Sequence, residues 1–269
     1  MNLKEATFII PIRIESSDRL RNVITTTAFL LENFDTNIII KEVDSESVFR
    51  RDALPILKDI LDVDIKVNHI FEKSNEPLFH RQKVLNEIVM ESTTEIVVNY
   101  DCDVILPLES YHEAYQSILH HTHDVIYPYG RGMYQKQVYA TDEIVSQFLQ
   151  TGDFKYLDSH SKTHTSDFGW VQFFNRQVYI NGGLENENFK AYAPEDKERF
   201  YRFTTLDYNV GRIENFVYHL EHSRGENSWI NNPYMLSNME EWEKIQTMNK
   251  QQLIDYYSRQ EYLKKYVSI

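Results

Sequence analysis

Val97-Val98-Asn99-Tyr100-Asp101-Cys102-Asp103-Val104-Ile105-Leu106 breaks an apolar run with two carboxylates at i and i+2, then returns to apolar residues. Asp is disfavoured inside a strand, so this pair at the end of a buried-looking strand needs a reason. A divalent cation supplies one. Carboxylate oxygens suit hard cations, and a metal–phosphate site takes one or two carboxylates while leaving positions for phosphate and water. Taken alone, Asp-x-Asp is a common tripeptide and more often marks a solvated turn. The rest of the chain must supply the other parts of such a site.

Upstream, apolar runs alternate with helical spacing. Residues 7–13 read as a buried parallel strand whose end carries Pro11 and Arg13. Ser16-Ser17-Asp18 offers an N-cap, after which Leu20, Val23, Ile24, Thr27, Leu30, Leu31 and Phe34 keep helical spacing. A second strand over 37–43 ends at Asp44, a helix covers 51–61 and a third strand 65–71. An amphipathic helix follows over 77–89, with Pro77 as its first helical residue. Residues 1–110 therefore read β-α-β-α-β-α-β. That order predicts an α/β, Rossmann-like fold with a mostly parallel central sheet flanked by helices, and ligands bound outside the carboxyl ends of the strands. Arg13, Asp44, Asp101 and Asp103 all fall on that edge.

Downstream, the spacing predicts helices over 107–121 and 141–151 and strands over 124–129 and 170–174. Residues 152–166, rich in Asp, Ser, Thr and His, read as a mobile loop. Pro194-Glu195-Asp196 opens a helix to about residue 203, residues 211–220 have mixed β character, and 238–269 read as a packed helical extension. With 269 residues, 42% hydrophobic and without a repeat or linker, the chain reads as one continuous domain. A net charge of −13 argues against nucleic acid as a partner. One cysteine, Cys102, precludes an internal disulfide framework. The start of the chain lacks a signal-peptide pattern, and no apolar run of 18 residues occurs. The expectation is a cytoplasmic protein, with peripheral attachment to the inner membrane face left open.

Two later clusters bear on the Asp pair. His219-Leu220-Glu221-His222 places two imidazoles three apart near a strand end. On its own this is a weak signal, lacking the His-Glu-x-x-His pattern of zinc proteases. With Asp103 it gives three ligands with room for diphosphate oxygens, a mixed N/O set that suits Mn2+. Glu195-Asp196 in a first helical turn complements the helix dipole. One of the two carboxylates can also serve as general base toward an acceptor hydroxyl.

Five segments together resemble the GT-A fold glycosyltransferases, specifically the β-1,4-galactosyltransferase group and related bacterial family 2 enzymes. Phe8-Ile9-Ile10-Pro11-Ile12-Arg13 is similar to their first strand. Phe79-His80-Arg81-Gln82-Lys83-Val84-Leu85-Asn86 is similar to their Phe-Asn-Arg-Ala-x-x-Leu-Asn segment. Residues 99–107 resemble Asp-Val-Asp-Leu-x-Pro. Phe168-Gly169-Trp170 through Asn181-Gly182-Gly183, then Glu195-Asp196, resembles the sugar-holding and acid-pair segment, and His222-Ser223-Arg224 the late His-Ser-Arg motif. They occur in the family's order over residues 7–225.

The resemblance implies roles. Asp103, His219 and His222 would hold Mn2+, with Mg2+ as the alternative, and His219 would stand where the galactosyltransferases commonly have methionine. Pro11, Arg13, Arg81, Asp101 and Gly183 would contact nucleotide or donor sugar, with Asp44 toward the uracil. Tyr192 would stack on acceptor sugar, Asp196 would be the base, and Glu195 would orient donor or acceptor. Residues 1–110 would form the nucleotide-binding half and 111–237 the acceptor and catalytic half. The implied reaction moves a hexose or N-acetylhexosamine from a UDP-sugar to a saccharide or glycolipid-linked acceptor with inversion. A retaining transferase of the polypeptide GalNAc-transferase type and a non-catalytic nucleotide-sugar-binding module are the alternatives. Two departures stand out. Ala193-Pro194 replaces two glycines, and proline has no N–H to offer a ligand. Glu15 lies near the place of a second arginine.

Overall fold

The four strands of the alternating half lie side by side, the inner ones as largely apolar buried runs, as a sheet covered by helices requires, and the third as a half-buried edge. In the computed structural model, which describes residues 1–61, 65–166, 168–225, 228 and 232–267, these are β1 (Asn2–Ile12), β2 (Asp35–Asp44), β3 (Asn68–Lys73) and β4 (Ile96–Tyr100). Phe8, Ile9, Ile10 and Ile12 of β1 and Ile96, Val97 and Val98 of β4 are buried. Helices α1 (Ser17–Asn33), α2 (Leu54–Leu61, entered through a π-helical turn at Phe49–Ala53) and α3 (Arg81–Glu91) connect them. β1 pairs in parallel with β2 and β4, and β2 in parallel with β3.

Two further strands widen this sheet. β6 (Val125–Tyr127) follows α4 (Leu108–Leu119), and β9 (Val171–Asn175) runs antiparallel to both β4 and β6. With the edge strand β10 (Val210–Arg212) the order is β10-β6-β9-β4-β1-β2-β3. The mostly parallel α/β sheet is as the sequence predicts.

A second, four-stranded sheet was not legible. β5 (Val104–Ile105), β7 (Gln135–Val138), β8 (Ser161–Thr163) and β11 (Val217–Leu220) form it in the order β5-β11-β7-β8. β5 is two residues long, yet its antiparallel register sets Val104 against His219 and Ile105 against Tyr218.

Two local expectations need correction. The expected mobile loop over 152–166 contains α6 (Phe154–Ser159) and β8, following α5 (Asp142–Thr151). Its polar composition hides two apolar anchors at helical spacing. Leu157 is fully buried, and the Phe154 ring meets those of Phe29, Phe148 and Tyr218. Pro77 does not start α3, which begins at Arg81. The Arg13 guanidinium donates to the Glu76 and Pro77 carbonyls at 3.0 Å each, so residues 76–77 are tied to the end of β1 instead.

The remaining helices carry the acid pair and brace it. After α7 (Arg176–Asn181), α8 (Glu195–Thr205) buries two arginines. Arg199 donates to both Glu185 oxygens at 2.6 and 2.8 Å and to Gln172 of β9 at 3.1 Å. Arg202 pairs with Glu198 at 2.7 Å and lies over the Tyr257 ring. That ring belongs to α10 (Lys250–Ser258), which with α9 (Met235–Ile245) forms the helical tail. No described helix is long and apolar enough to cross a membrane.

Burial alone would raise the Glu185 carboxyl, but the Arg199 guanidinium and the Arg199 and Tyr179 hydrogen bonds hold it at about 2. A carboxyl depressed below its unfolded value contributes stability above the unfolded pKa and loses it as pH falls through the folded one. Glu185→Gln removes the bidentate partner of a buried guanidinium, leaving it Asp196 as its one carboxylate among the described residues, and should cost up to about 3–5 kcal/mol at pH 7. Denaturant melts of both proteins should show that gap narrowing as pH falls from about 4.5 toward 2. A constant gap would show that the ion pair does not carry the effect.

Candidate active site

The carboxyl ends of β1 and β4 and the β5–β11 ladder meet the start of α8 around a polar cavity of about 330 Å³. Pro11, Arg13, Arg81, Asp101, Asp103, Tyr192, Glu195, Asp196, His219 and His222 all line it. Asp44 and Gly183 do not. The Asp44 carboxylate accepts from the backbone N–H of Ser45 at 2.7 Å and so completes its own turn. Gly183 has φ +95°, and a Cβ there would meet the Tyr257 ring at 2.6 Å, so its place is a close approach to the helical tail.

Asp103, His219 and His222 converge with their ligand atoms within 4.8 Å of one another. His222 Nε2 is 3.0 Å from Asp103 Oδ2, and His219 Nε2 is 3.8 Å from Asp103 Oδ1. The His222 Nδ1 lies 2.7 Å from the Ser223 carbonyl, which can only accept. Nδ1 therefore carries a proton, and Nε2 faces the Asp103 carboxylate, whose hydrogen bond and charge outweigh burial and raise the His222 pKa; a bound cation would take the place of a proton on Nε2. Burial pushes His219 down to about 4, which keeps it neutral near pH 7. Asp103 is held far below the usual carboxylate range: burial opposes ionisation, but the His219 and His222 imidazoles outweigh it. The buried Asp103 Oδ1 and His219 Nδ1 have no hydrogen-bond partner. One carboxylate and two imidazoles with an unsatisfied buried oxygen fit a divalent cation of the Mn2+ type.

Across the cavity stands the acid pair. Arg199 donates to Asp196 Oδ1 at 2.9 Å, while Oδ2 lies where a Cβ on Gly169 would come within 2.9 Å. Position 169 therefore has no room for a side chain. Glu195 is buried with an unpartnered Oε2. Burial, and then the charge of Asp196, push its carboxyl up to about 8. Near pH 7 Glu195 keeps its proton and can donate it in a hydrogen bond. Arg81 and Asp101 pair with each other at 2.5 Å, and Arg81 also reaches Asn99. Arg13 donates Nε and Nη1 to the carbonyls of Val43, Glu76 and Pro77 and stacks over Phe79, and its buried Nη2 has no hydrogen-bond partner among the described residues.

No protein-family model and no curated protein matches the sequence. Among solved structures, a mannosyltransferase, PcManGT from Pyrobaculum calidifontis, in complex with GDP-Man and Mn2+, superposes with a TM-score of 0.56 at 12% identity, covering 96% of this chain and 69% of that one. S. aureus TarS 1–349 in complex with UDP-GlcNAc superposes with a TM-score of 0.56 at 11% identity, covering 94% and 71%. The fold is GT-A. At these identities the likeness carries the fold, and the GT-A cavity must be read from its own residues.

Further residues line or shape this GT-A cavity; Trp170, Ala193 and Arg224 stand in segments where the sequence reading gave them no role, while His164, Ala191 and Asn238 were not singled out. His164 and Trp170 join the triad through parallel rings, with Trp170 5.8 Å and His164 6.5 Å from His219. Trp170 has φ +71°, a backbone region unusual for a bulky residue. It is held there by its carbonyl, which accepts from Asp101 N at 2.9 Å. Ala191 and Ala193 also have positive φ, so the loop ahead of the acid pair keeps a glycine-like course without glycine. The buried Asn238 of α9 clamps that loop, donating to the Lys190 and Ala193 carbonyls and accepting from Lys190 N. Arg224 reaches across to lie 5.8 Å from the Tyr192 ring.

Mn2+ titrated into the protein should raise its melting temperature, by the equivalent of about 2.7 kcal/mol at a hundredfold excess over Kd. Asp103→Ala and His222→Ala should each abolish that shift. A shift retained in either variant would remove that residue from the metal set.

Proposed function

We propose that this chain is a metal-dependent glycosyltransferase that moves a hexose or N-acetylhexosamine from a UDP-sugar to a hydroxyl of a saccharide acceptor with inversion. One observation carries the reading: the Asp103–His219–His222 cluster and the Glu195–Asp196 pair face a single cavity. A cation cluster suits a diphosphate, and a carboxylate across from it suits a hydroxyl that must lose its proton. The GT-A fold supports a nucleotide-sugar donor.

In this reading Asp103, His219 and His222 hold the divalent cation, which when bound supplies neutralisation of the diphosphate leaving group. Asp196 takes the proton of the acceptor hydroxyl as that oxygen attacks the anomeric carbon from the face opposite UDP. The bond between the anomeric carbon and the phosphate oxygen breaks, its electron pair leaves with UDP, and configuration inverts. Arg199 fixes Asp196 for this step through its hydrogen bond. Protonated Glu195 donates a hydrogen bond to a sugar oxygen, and Tyr192, 37% exposed at the cavity edge, offers a ring to the acceptor. Arg81 orients Asp101 toward ribose or donor sugar. Holding both substrates in line contributes much of the acceleration.

Asp196→Asn keeps the hydrogen-bonding shape and removes the base. It should retain UDP binding in Mn2+ while transfer falls by about 10²–10⁴-fold. Turnover at the wild-type rate would exclude Asp196 as the base. A thermal-shift panel of UDP-, GDP- and CMP-sugars with Mn2+ should show stabilisation by the UDP series; a preference for another base would overturn the donor assignment.

A further inference from the structure

We propose that Arg19 is a side chain through which this protein grips the donor diphosphate. The inference rests on the donor reading above and adds to it a residue outside the metal cluster and the acid pair.

The other cavity-lining guanidinium groups also have partners and spare donors: Arg13 serves three carbonyls while its buried Nη2 has no partner among the described residues, Arg81 serves Asp101 and Asn99, and Arg224 donates to the Ser228 carbonyl at 3.1 Å. Arg19 is the one that α1 contributes to the cavity. Among the described residues its one hydrogen bond goes to the Ser228 hydroxyl at 3.1 Å, and its nearest carboxylate, Glu15, is 3.9 Å away. A guanidinium carries five donors and matches phosphate oxygens in a planar fork. Most of Arg19's donors are therefore unspent, in a side chain that lines the cavity and is only 17% exposed.

Its position is fixed rather than accidental. The neighbouring Asp18 accepts from Ser223 N at 2.5 Å and from the Ser223 hydroxyl at 3.2 Å. Asp18 thus stitches the first turn of α1 to the residue after His222. Arg21 adds a bond to the Glu221 carbonyl at 3.0 Å, and Asn22 one to the Leu220 carbonyl at 2.9 Å. Three successive contacts dock α1 along the segment that carries both histidines, and Arg19 is the member of that turn that faces the cavity. Its charge is felt at Asp103 and His222. An anion held at the cluster therefore comes under the field of Arg19 as well.

Glu15 sharpens the argument. It stands four residues before Arg19, in the segment ahead of α1, and over Gly225, where a Cβ would meet its Oε2 at 3.1 Å. A carboxylate there repels a diphosphate, so the cation at 19 has that repulsion to offset.

Calorimetry in saturating Mn2+ tests this on the intact chain, with UDP and UMP as probes. Arg19→Ala should weaken UDP about tenfold, the scale of one charge-assisted bond, with UMP changed less than threefold. Arg19→Lys should recover part of the loss, Glu15→Gln should tighten UDP, and Mn2+ alone should still bind all three, no more weakly in Arg19→Ala than in the wild type. UDP affinity unchanged in Arg19→Ala, or UDP and UMP weakened alike, would overturn the assignment to Arg19 and leave the donor reading standing. A wild-type chain that binds neither nucleotide with Mn2+ would overturn the donor reading and the role of Arg19 with it.

Discussion

The site depends on a two-residue strand. β5 pairs with β11 so that Val104 faces His219, and Leu220 N donates to the Asp103 carbonyl at 2.7 Å. Side chains alternate across a strand, so a slip of one residue would turn His219 to the opposite face. The register brings together residues more than a hundred positions apart and makes a carboxylate and two imidazoles neighbours. A buried carboxylate is costly unless something positive meets it. Here the His222 imidazole, hydrogen-bonded to Asp103, and a cation when bound, take that part.

The other half of the cavity is held by different means. Asp196 sits against Gly169 and accepts from Arg199, whose remaining donors grip Glu185 and Gln172. A guanidinium with 1% exposure would be a liability without all of these partners. Backbone conformations that favour glycine occur at Trp170, Ala191 and Ala193, all in segments that line or enter the cavity. Such conformations persist only where surrounding bonds over-determine them. Asn238 supplies those bonds for the acid-pair loop, so the helical tail is part of what shapes the cavity wall.

What could be read from sequence follows from these physical differences. Buried parallel strands are continuous apolar runs, so β1, β2 and β4 and the helices between them declare themselves. The Asp103, His219 and His222 types are chemically specific enough to be matched across the chain. β5 is too short for any periodicity, and α6 is hidden because Phe154 and Leu157 are only two apolar residues in a polar stretch. Asp44 was placed on the ligand edge by topology alone, which gives the edge of the sheet but not which strand ends reach the cavity. Gly183 was read as a ligand contact, yet its glycine requirement comes from Tyr257, seventy-four residues later in sequence. Trp170 falls in a segment that resembles the family, but its conformation is not legible there, because nothing in a tryptophan announces a left-handed backbone.

Glu195 and Asp196 are adjacent in sequence but differ in surroundings, and that difference divides their chemistry. Asp196 has a guanidinium on one oxygen and an open glycine beneath the other. Glu195 is buried with one oxygen unpartnered and has the Asp196 charge as its neighbour. Two carboxyls this close in a low-dielectric wall do not both ionise cheaply. The one without a cation partner retains its proton, with its pKa pushed up to about 8. The pair thus offers a hydrogen-bond donor and an acceptor side by side, the same separation of roles by environment that lets two like residues serve as acid and base. Arg199 decides which is which, because its guanidinium hydrogen-bonds Asp196 while Glu195 Oε2 is left without a partner among the described residues.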